Sequence, residues 1–458
     1  MTEGRTEELV GPSGDGGGSP PLRRSISRPM LLLLVVGDVL GAGIYALVGE
    51  VGGRVGGAIW AAFLLALTLA LLTAFAYAEL VTKYPQAAGA ALYVNKAWGR
   101  PFLTFLVAFA VMASGLTSAA TLARAVGGDY LTDFVDAPTV LVGLVFITLV
   151  ALVNFRGISE SVRLNVVLTS IELAGLLLVI VVGGAAIVEG GADVDTGRAL
   201  ELSRDGSVMT ALLGGAGLAF FALIGFEDSV NLAEETKHPR RDYPLALFGG
   251  LAVAGLLYLL VTVVASMVVP TDRLAASDGP LLEVVAAGPW GLPDRLFSAI
   301  ALCALANGAL INMVMASRIA YGMANEGILP AALGRVHPGR RTPWVAIVAT
   351  TLIAMVLIAS GELDDLADTT VLLLLLVFVA VNVAVLMLRR DPVDHDHFRT
   401  PTVIPVIGAA VSLGLMTTKS FGVFARTGGL LLLGVVLAAI TWWFQRRHGE
   451  PVESSERP

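Results

Sequence analysis

Two apolar stretches of this 458-residue sequence are interrupted near their centres by residues that can do chemistry. The first reads Val36-Gly37-Asp38-Val39-Leu40-Gly41-Ala42-Gly43-Ile44-Tyr45, three glycines and one acid inside a hydrophobic run. Glycine is a poor helix former, so a break is expected at Gly41–Gly43. Unwound backbone at membrane depth must line a cavity or be buried in protein. The half-helix that follows would present free N–H groups and a positive dipole end, both of which attract a carboxylate. The alternative use of such glycines is a small-residue packing face, and spacing alone weighs the two equally. No β-α-β context surrounds the Gly-x-Gly, so it is not a dinucleotide fingerprint. The second stretch reads Phe220-Phe221-Ala222-Leu223-Ile224-Gly225-Phe226-Glu227-Asp228. A break here would free carbonyl oxygens of the preceding half-helix, which suit an ammonium group. A carboxylate at one break and an ammonium at the other describe an α-amino acid.

Acidic residues accompany both breaks. Glu172 lies deep in a third apolar stretch. An intramembrane carboxylate is costly and points to function by default. Glu172 is therefore expected to carry or sense a coupling proton; the alternative is a protonated structural group bonded to a helix carbonyl. Glu227 and Asp228 offer a second protonation point, or cap the half-helix after the break. Asp38 is expected to accept from freed backbone N–H groups nearby. Glu79, Glu234, Glu235 and Arg318 form either an inner gate of ion pairs or a solvated charge cluster worth little energy. With Asp38, Glu172, Glu227 and Asp228 about the centre and only Arg318 nearby, low-dielectric Coulomb terms disfavour an acidic substrate. Neutral or cationic amino acids and organic amines fit better.

These residues need a membrane to hold them. Hydrophobic residues make up 56% of the chain and charged residues 15%, with a mean hydropathy of +0.79. A soluble globular protein has nearer a quarter of its residues charged, so that class is excluded. Continuous rather than alternating apolar runs exclude an outer-membrane barrel. A span needs about 20 mostly apolar residues. Twelve stretches qualify, at 30–52, 57–80, 101–126, 139–155, 163–188, 209–233, 244–269, 293–324, 344–360, 369–389, 402–418 and 428–445. Interrupted spans at positions one and six are five helices apart. An odd-numbered repeat must insert inverted, and matched interruptions in two halves point to a transporter's binding site.

Twenty-one of the thirty Lys and Arg fall on one side of this arrangement and eight on the other, with Arg318 inside a span. Positive residues favour the cytoplasm, so both termini are expected there. All five histidines fall in the same-side segments, and Asp394-His395-Asp396-His397 reads as a solvated loop rather than a metal site. The one cysteine, Cys303, allows no intrachain disulfide. No metal, cofactor or nucleic-acid partner is expected, and no cleavable signal peptide.

Four motifs carry a resemblance to a known family. They are Gly41-Ala42-Gly43-Ile44-Tyr45; Tyr77-Ala78-Glu79-Leu80 with Pro85, Gly89 and Tyr93; Phe220 to Glu227 with Ala233-Glu234-Glu235 and Pro239; and Arg318 with Tyr321, Met323, Ala324, Gly327 and Leu329-Pro330. Their order and spacing resemble the amino acid–polyamine–organocation transporter superfamily, near its cationic amino acid transporter branch. The resemblance implies an all-α membrane protein of twelve helices, a five-plus-five inverted repeat with discontinuous helices 1 and 6, and two peripheral helices. Polar composition with a Gly/Ser/Pro-rich stretch makes 1–28 an expected disordered cytoplasmic tail, and the resemblance implies a core at 29–390 with repeats near 29–190 and 205–390, peripheral spans at 391–446 and a short cytoplasmic tail at 447–458. Substrate carboxylate would meet the backbone from Gly41 through Ala42 and Gly43 to Ile44. The amine would meet carbonyls near Val39, Phe221, Ala222 and Ile224, and Phe221 would close over the substrate. Relatives often carry Ser or Thr at the Ala42 position, so a hydroxyl contact is missing here. Alignment on Arg163-Leu164-Asn165 puts Glu172 where the cationic branch has a lysine in place of sodium. The function implied is not enzymatic: no HExxH, GxSxG or P-loop is present. It is an amino acid permease, with proton-coupled uptake across the plasma membrane leading, exchange of amino acids, amines or polyamines second, and a transporter-like sensor as the reading of another class.

Overall fold

The computed structural model describes residues 26–86, 89–132, 134–135, 137–203 and 207–448, and leaves out the side chains of 158–166, Leu232, Glu234 and 445–448. Of the tails expected at 1–28 and 447–458, residues 1–25 and 449–458 lie outside the described residues. Among the described residues the chain is helical, with one isolated β-bridge between Ile26 and Thr236.

The first span is two helices, α1 (Arg28–Val39) and α2 (Gly43–Val55), bent by 44° at the glycines. Then follow α3 (Ile59–Lys83), α4 (Gly89–Trp98), α5 (Pro101–Val126), a single turn α6 (Asp129–Thr132), α7 (Thr139–Arg156) and α8 (Ile158–Glu189). The second half opens with α9 (Val208–Ala219), which runs into a 3-10 turn at Phe220–Leu223 and another at Asp228–Glu235. It continues with α10 (Pro239–Val268), the short α11 (Thr271–Ala276) and α12 (Pro280–Ala286), α13 (Asp294–Asn325), α14 (Trp344–Ser360), α15 (Leu363–Leu388), α16 (Val403–Met416) and α17 (Phe421–His448). Nine helical segments among the described residues are long and apolar enough to cross a bilayer, and ten with the bent pair. The helices at 344–360 and 403–416 are apolar but shorter, 17 and 14 residues.

Small residues set the packing. The buried face of α5 includes Ala110, Ala113, Ser114, Gly115, Thr117, Ala119 and Ala120, which lets α13 and α15 approach closely on either side. A Cβ on Gly115 would already stand 3.4 Å from the Asn312 carbonyl. The outward faces carry the opposite pattern. Leu141, Val145, Leu149 and Leu152 recur at helical spacing on α7 and are all exposed, as are Val348, Leu352 and Val356 on α14. Apolar stripes of this kind need lipid against them. Short polar hydroxyls inside the bundle bond back to their own helices, as Thr117 does to the Ala113 carbonyl at 3.1 Å and Thr350 to the Ala346 carbonyl at 2.8 Å.

Two features depart from the sequence reading. The segment after the second span holds the amphipathic helix α4 rather than a plain loop, and the connection after α10 holds α11 and α12. Their apolar content was too short to register as spans. The sixth stretch, expected as one interrupted span over 209–233, keeps α-helical geometry only to Ala219 and then continues in 3-10 turns.

Candidate functional site

The two breaks meet. A Cβ on Gly43 would come within 2.7 Å of the Ala222 Cα and 3.0 Å of Phe221 Cδ1. Gly225 adopts φ +124°, where L side chains are strained, and a Cβ there would run into the Asp38 carbonyl. Both glycines are thus required by close backbone approach. α2 begins at Gly43 with no side-chain cap. The first N–H groups of a helix have no intrahelical partner, so those following Gly41 and Ala42 are the donors available at this point.

Neighbouring helices hold the break open. The Tyr258 hydroxyl on α10 donates to the carbonyls of Val39 at 2.9 Å and Gly41 at 3.2 Å. These are carbonyls that an unbroken helix would have used itself. Tyr45 at the start of α2 donates to the Glu172 backbone carbonyl at 2.7 Å, and Tyr130 donates to the Tyr45 carbonyl at 2.9 Å. A Cβ on Gly308 of α13 would lie 3.6 Å from Ala42 Cβ. α8, α10 and α13 therefore converge on the residues between Val39 and Tyr45.

Glu172 is placed beside this break. It is 1% exposed, is hydrogen-bonded to Asn307, and leaves Oε1 buried with no hydrogen-bond partner among the described residues. Asn307 also donates to Thr169 Oγ1 at 3.0 Å, and a Cβ on Gly37 would sit 3.1 Å from the Thr169 methyl. At the other break, Glu227 Oε2 accepts from the Gly225 N–H at 3.0 Å and Glu227 is 6% exposed. Glu227 thus binds the turn that brings Gly225 to Asp38. Asp228 is half-buried on the following 3-10 turn.

Aromatic rings close one side of the sixth-span break. Phe226, Tyr77 and Phe378 stand with centroids 5.6–6.1 Å apart, and Phe220 packs edge-on against Phe378 at 5.8 Å. Phe221 is 5% exposed and lies against Gly43, while Ile224 is half-buried.

Ion pairs lie towards both ends of the bundle. At the end that carries Ile26, Arg389 grips Glu79 in bidentate fashion, Nε to Oε1 at 2.9 Å and a terminal nitrogen to Oε2 at 2.8 Å. The Thr400 N–H adds a bond to Oε2 at 2.8 Å. This contact holds the Arg389 guanidinium above its usual pKa range. The sequence groups Glu79 with Glu234, Glu235 and Arg318. Arg318 is half-buried on α13 with no ion pair among the described residues, and the Glu234 side chain lies outside them. Glu235 contributes its carbonyl to the Ile26 N–H at 3.0 Å. At the opposite end, Asp368 of α15 takes Lys419 at 2.5 Å and Arg54 of α2 at 3.2 Å, while Asp364 takes Arg54 at 3.3 Å. Burial pulls the Lys419 ammonium below the ordinary lysine range, against the opposing pull of Asp368.

Tyr258, Asn307, Arg389 and the Arg54–Asp368–Lys419 group are contributions that the sequence reading missed. Asn307 left a signal, an amide inside an apolar run. Arg54, Arg389 and Lys419 were visible only as loop charges, because pairings 51 to 314 residues apart in the chain have no local pattern. Among the described residues no group of three His, Cys, Asp or Glu is arranged to hold a metal, and the rings of His395 and His397 lie 6.4 Å apart.

The chain matches the family model of amino acid permeases over residues 26–443. It is 29% identical over 395 residues to a vacuolar cationic amino acid transporter of Arabidopsis thaliana, covering 82% of this chain and 65% of that protein. It is 25% identical over 457 residues to a branched-chain amino acid permease of Bacillus subtilis, covering 94% of this chain and 95% of that protein. A methylthioribose transporter of the same bacterium is 27% identical, with 90% and 93% covered. The chain spans about two thirds of the plant relative's length and nearly all of the bacterial ones.

Proposed function

The chain belongs to the amino acid permease family, near the cationic amino acid transporter branch of the amino acid–polyamine–organocation superfamily, and from that premise we propose that it carries neutral or cationic amino acids across the plasma membrane by alternating access. In this reading the two shorter apolar helices complete twelve spans, both termini are cytoplasmic, and spans 1–5 and 6–10 are inverted repeats about the two breaks. The single observation that supports the reading most is the contact of Gly43 with Phe221 and Ala222. It brings helix-start amides of one half against helix-end carbonyls of the other, the two charge preferences of a zwitterion.

The substrate carboxylate meets the N–H groups at Gly41 to Ile44. Its ammonium meets the carbonyls of Phe221, Ala222 and Ile224, with the Val39 carbonyl shared with Tyr258. Phe221 moves aside to admit the substrate and returns over it. The side-chain carboxyls of Asp38, Glu172, Glu227 and Asp228 make the surroundings unfavourable for glutamate and aspartate. Glu172 takes the coupling proton. Its Oε1 without a partner is a site that a proton can occupy, and the Tyr45 bond to the Glu172 carbonyl ties its turn of α8 to the start of α2. Opening towards the cytoplasm separates Glu79 from Arg389; opening outwards separates Arg54 from Asp364 and Asp368.

Uptake of a panel of labelled amino acids and amines into liposomes, with and without an inside-alkaline gradient, tests the proposal. Gradient-accelerated uptake of neutral or cationic amino acids supports it. Uptake only into liposomes preloaded with substrate replaces symport by exchange. Uptake of methylthioribose alone, the substrate named for one relative, or of glutamate in preference to lysine and leucine, contradicts the substrate class.

A further inference from the structure

We propose that the groove between α10 and the segment joining α15 to α16 binds one anionic phospholipid, its phosphate on Arg240 and Arg241 and its acyl chains along Leu245, Phe248 and Phe398. The groove has a volume of about 650 Å³. It is two-sided in chemistry. Arg240 and Arg241 line it from the first turn of α10, Pro244, Leu245, Phe248 and Gly249 from the next two turns, and Phe398 from the facing segment. The apolar part is firmly built: Phe75, Phe248 and Phe398 pack as a triangle with centroids 4.5, 5.8 and 6.1 Å apart. Leu245 is 56% exposed beside it.

Among the described residues no acid compensates the charge at the mouth. The acid next to the pair, Asp242, is turned to Arg28, whose Nε and a terminal nitrogen both lie 2.8 Å from Oδ1. Arg240 and Arg241 are exposed and have no ion pair among the described residues. Adjacent planar guanidiniums suit phosphate oxygens, which they bind in bidentate fashion. A free phosphate would use the arginines and leave the aromatic wall bare. A zwitterionic lipid would cover the wall but bring its own cation to the arginines. An anionic phospholipid satisfies both ends. Basic pockets between spanning helices are general hosts for acidic headgroups. Phe398 lies two residues before Thr400, whose N–H holds Glu79, so the lipid would brace the segment that carries the Glu79–Arg389 contact. The cytoplasmic leaflet as the source rests on the orientation proposed above; binding in detergent does not depend on it.

Native mass spectrometry of the full chain in a neutral detergent, titrated with phosphatidylglycerol, phosphatidylcholine or glycerol 3-phosphate, tests the site. Phosphatidylglycerol is expected to bind at least tenfold more tightly than phosphatidylcholine, with glycerol 3-phosphate unable to displace it. Arg240→Gln with Arg241→Gln should reduce that preference at least fivefold, whereas Arg335→Gln with Arg340→Gln should leave it. Equal loss in both pairs would assign the preference to diffuse basic charge and overturn the site. Displacement by glycerol 3-phosphate would make it a phosphate site, and equal binding of both lipids would remove the charge recognition. If the Arg240/Arg241 variant loses its monodisperse peak, Leu245→Ser decides instead: at least fivefold weaker binding of phosphatidylglycerol is expected, and unchanged binding would overturn the site. Failure here leaves uptake in neutral-lipid liposomes as a separate test of transport.

Discussion

The hydroxyl of Tyr258 stands 2.9 Å from the carbonyl of Val39, 219 residues away in sequence. α1 stops at Val39, and Tyr258 supplies from a distant helix one of the donors that the continuing helix would have given. The break in the first span is therefore built by the rest of the bundle as much as by its glycines. Tyr258→Phe keeps the ring and removes the donor from two carbonyls. Leaving buried acceptors unsatisfied costs about 1–3 kcal/mol each when no water replaces the bond. The variant should melt at lower temperature in detergent, and a thermal scan against wild type checks it. An unchanged melting temperature would mean the carbonyls find other partners.

Removing one partner of the Glu79–Arg389 pair should be costly. Glu79 is 1% exposed and also holds the Thr400 N–H. Breaking a buried pair on one side typically costs about 3–5 kcal/mol, because a charge is left alone. Arg389→Met should therefore destabilise strongly, and Glu79→Gln with Arg389→Met should recover part of the loss. A double-mutant cycle on melting temperatures measures this coupling. Additive losses would show that the two groups do not depend on one another.

Asp368 sits between two cations, Lys419 at 2.5 Å and Arg54 at 3.2 Å. The Lys419 side chain is 1% exposed. Asp368→Asn leaves that ammonium buried without its counter-charge and should lower the melting temperature more than Lys419→Met, which leaves Asp368 with Arg54. Thermal scans of the two variants check the order. The reverse order would mean that Lys419 is held by its surroundings rather than by Asp368.

Glu172→Gln preserves shape and the bond to Asn307 but cannot lose a proton. Uptake by the wild type should rise as the outside is made acid relative to the inside. Uptake by the variant should lose that response, whatever its residual rate. An identical pH response in the variant would return Glu172 to a structural role.

Much of this was legible locally. Pro101 opens the third span and Val126 ends it, matching the expected stretch residue for residue, because a proline start and a long apolar run are local signals. The glycines that break the first span were equally plain, as was the isolated carboxyl of Glu172. The partners were not. Nothing near Glu79 points to Arg389, and nothing near Val39 points to Tyr258, since both contacts exist only once the helices have assembled. α4 was hidden for another reason: Gly89–Trp98 has 10 residues, too few to mark a span.

Gly43 gives the most direct test of the central claim, that the two breaks together form the substrate site. A methyl added there meets the Ala222 Cα at 2.7 Å, whereas one added at Gly184 meets nothing within 4 Å. The measurement is uptake of the best labelled amino acid by wild type, Gly43→Ala and Gly184→Ala in matched liposomes. The account predicts at least a tenfold loss for Gly43→Ala with the protein still monodisperse, and wild-type rates for Gly184→Ala. Wild-type uptake by Gly43→Ala would contradict it, because the contact between the breaks would then play no part in binding or carrying substrate.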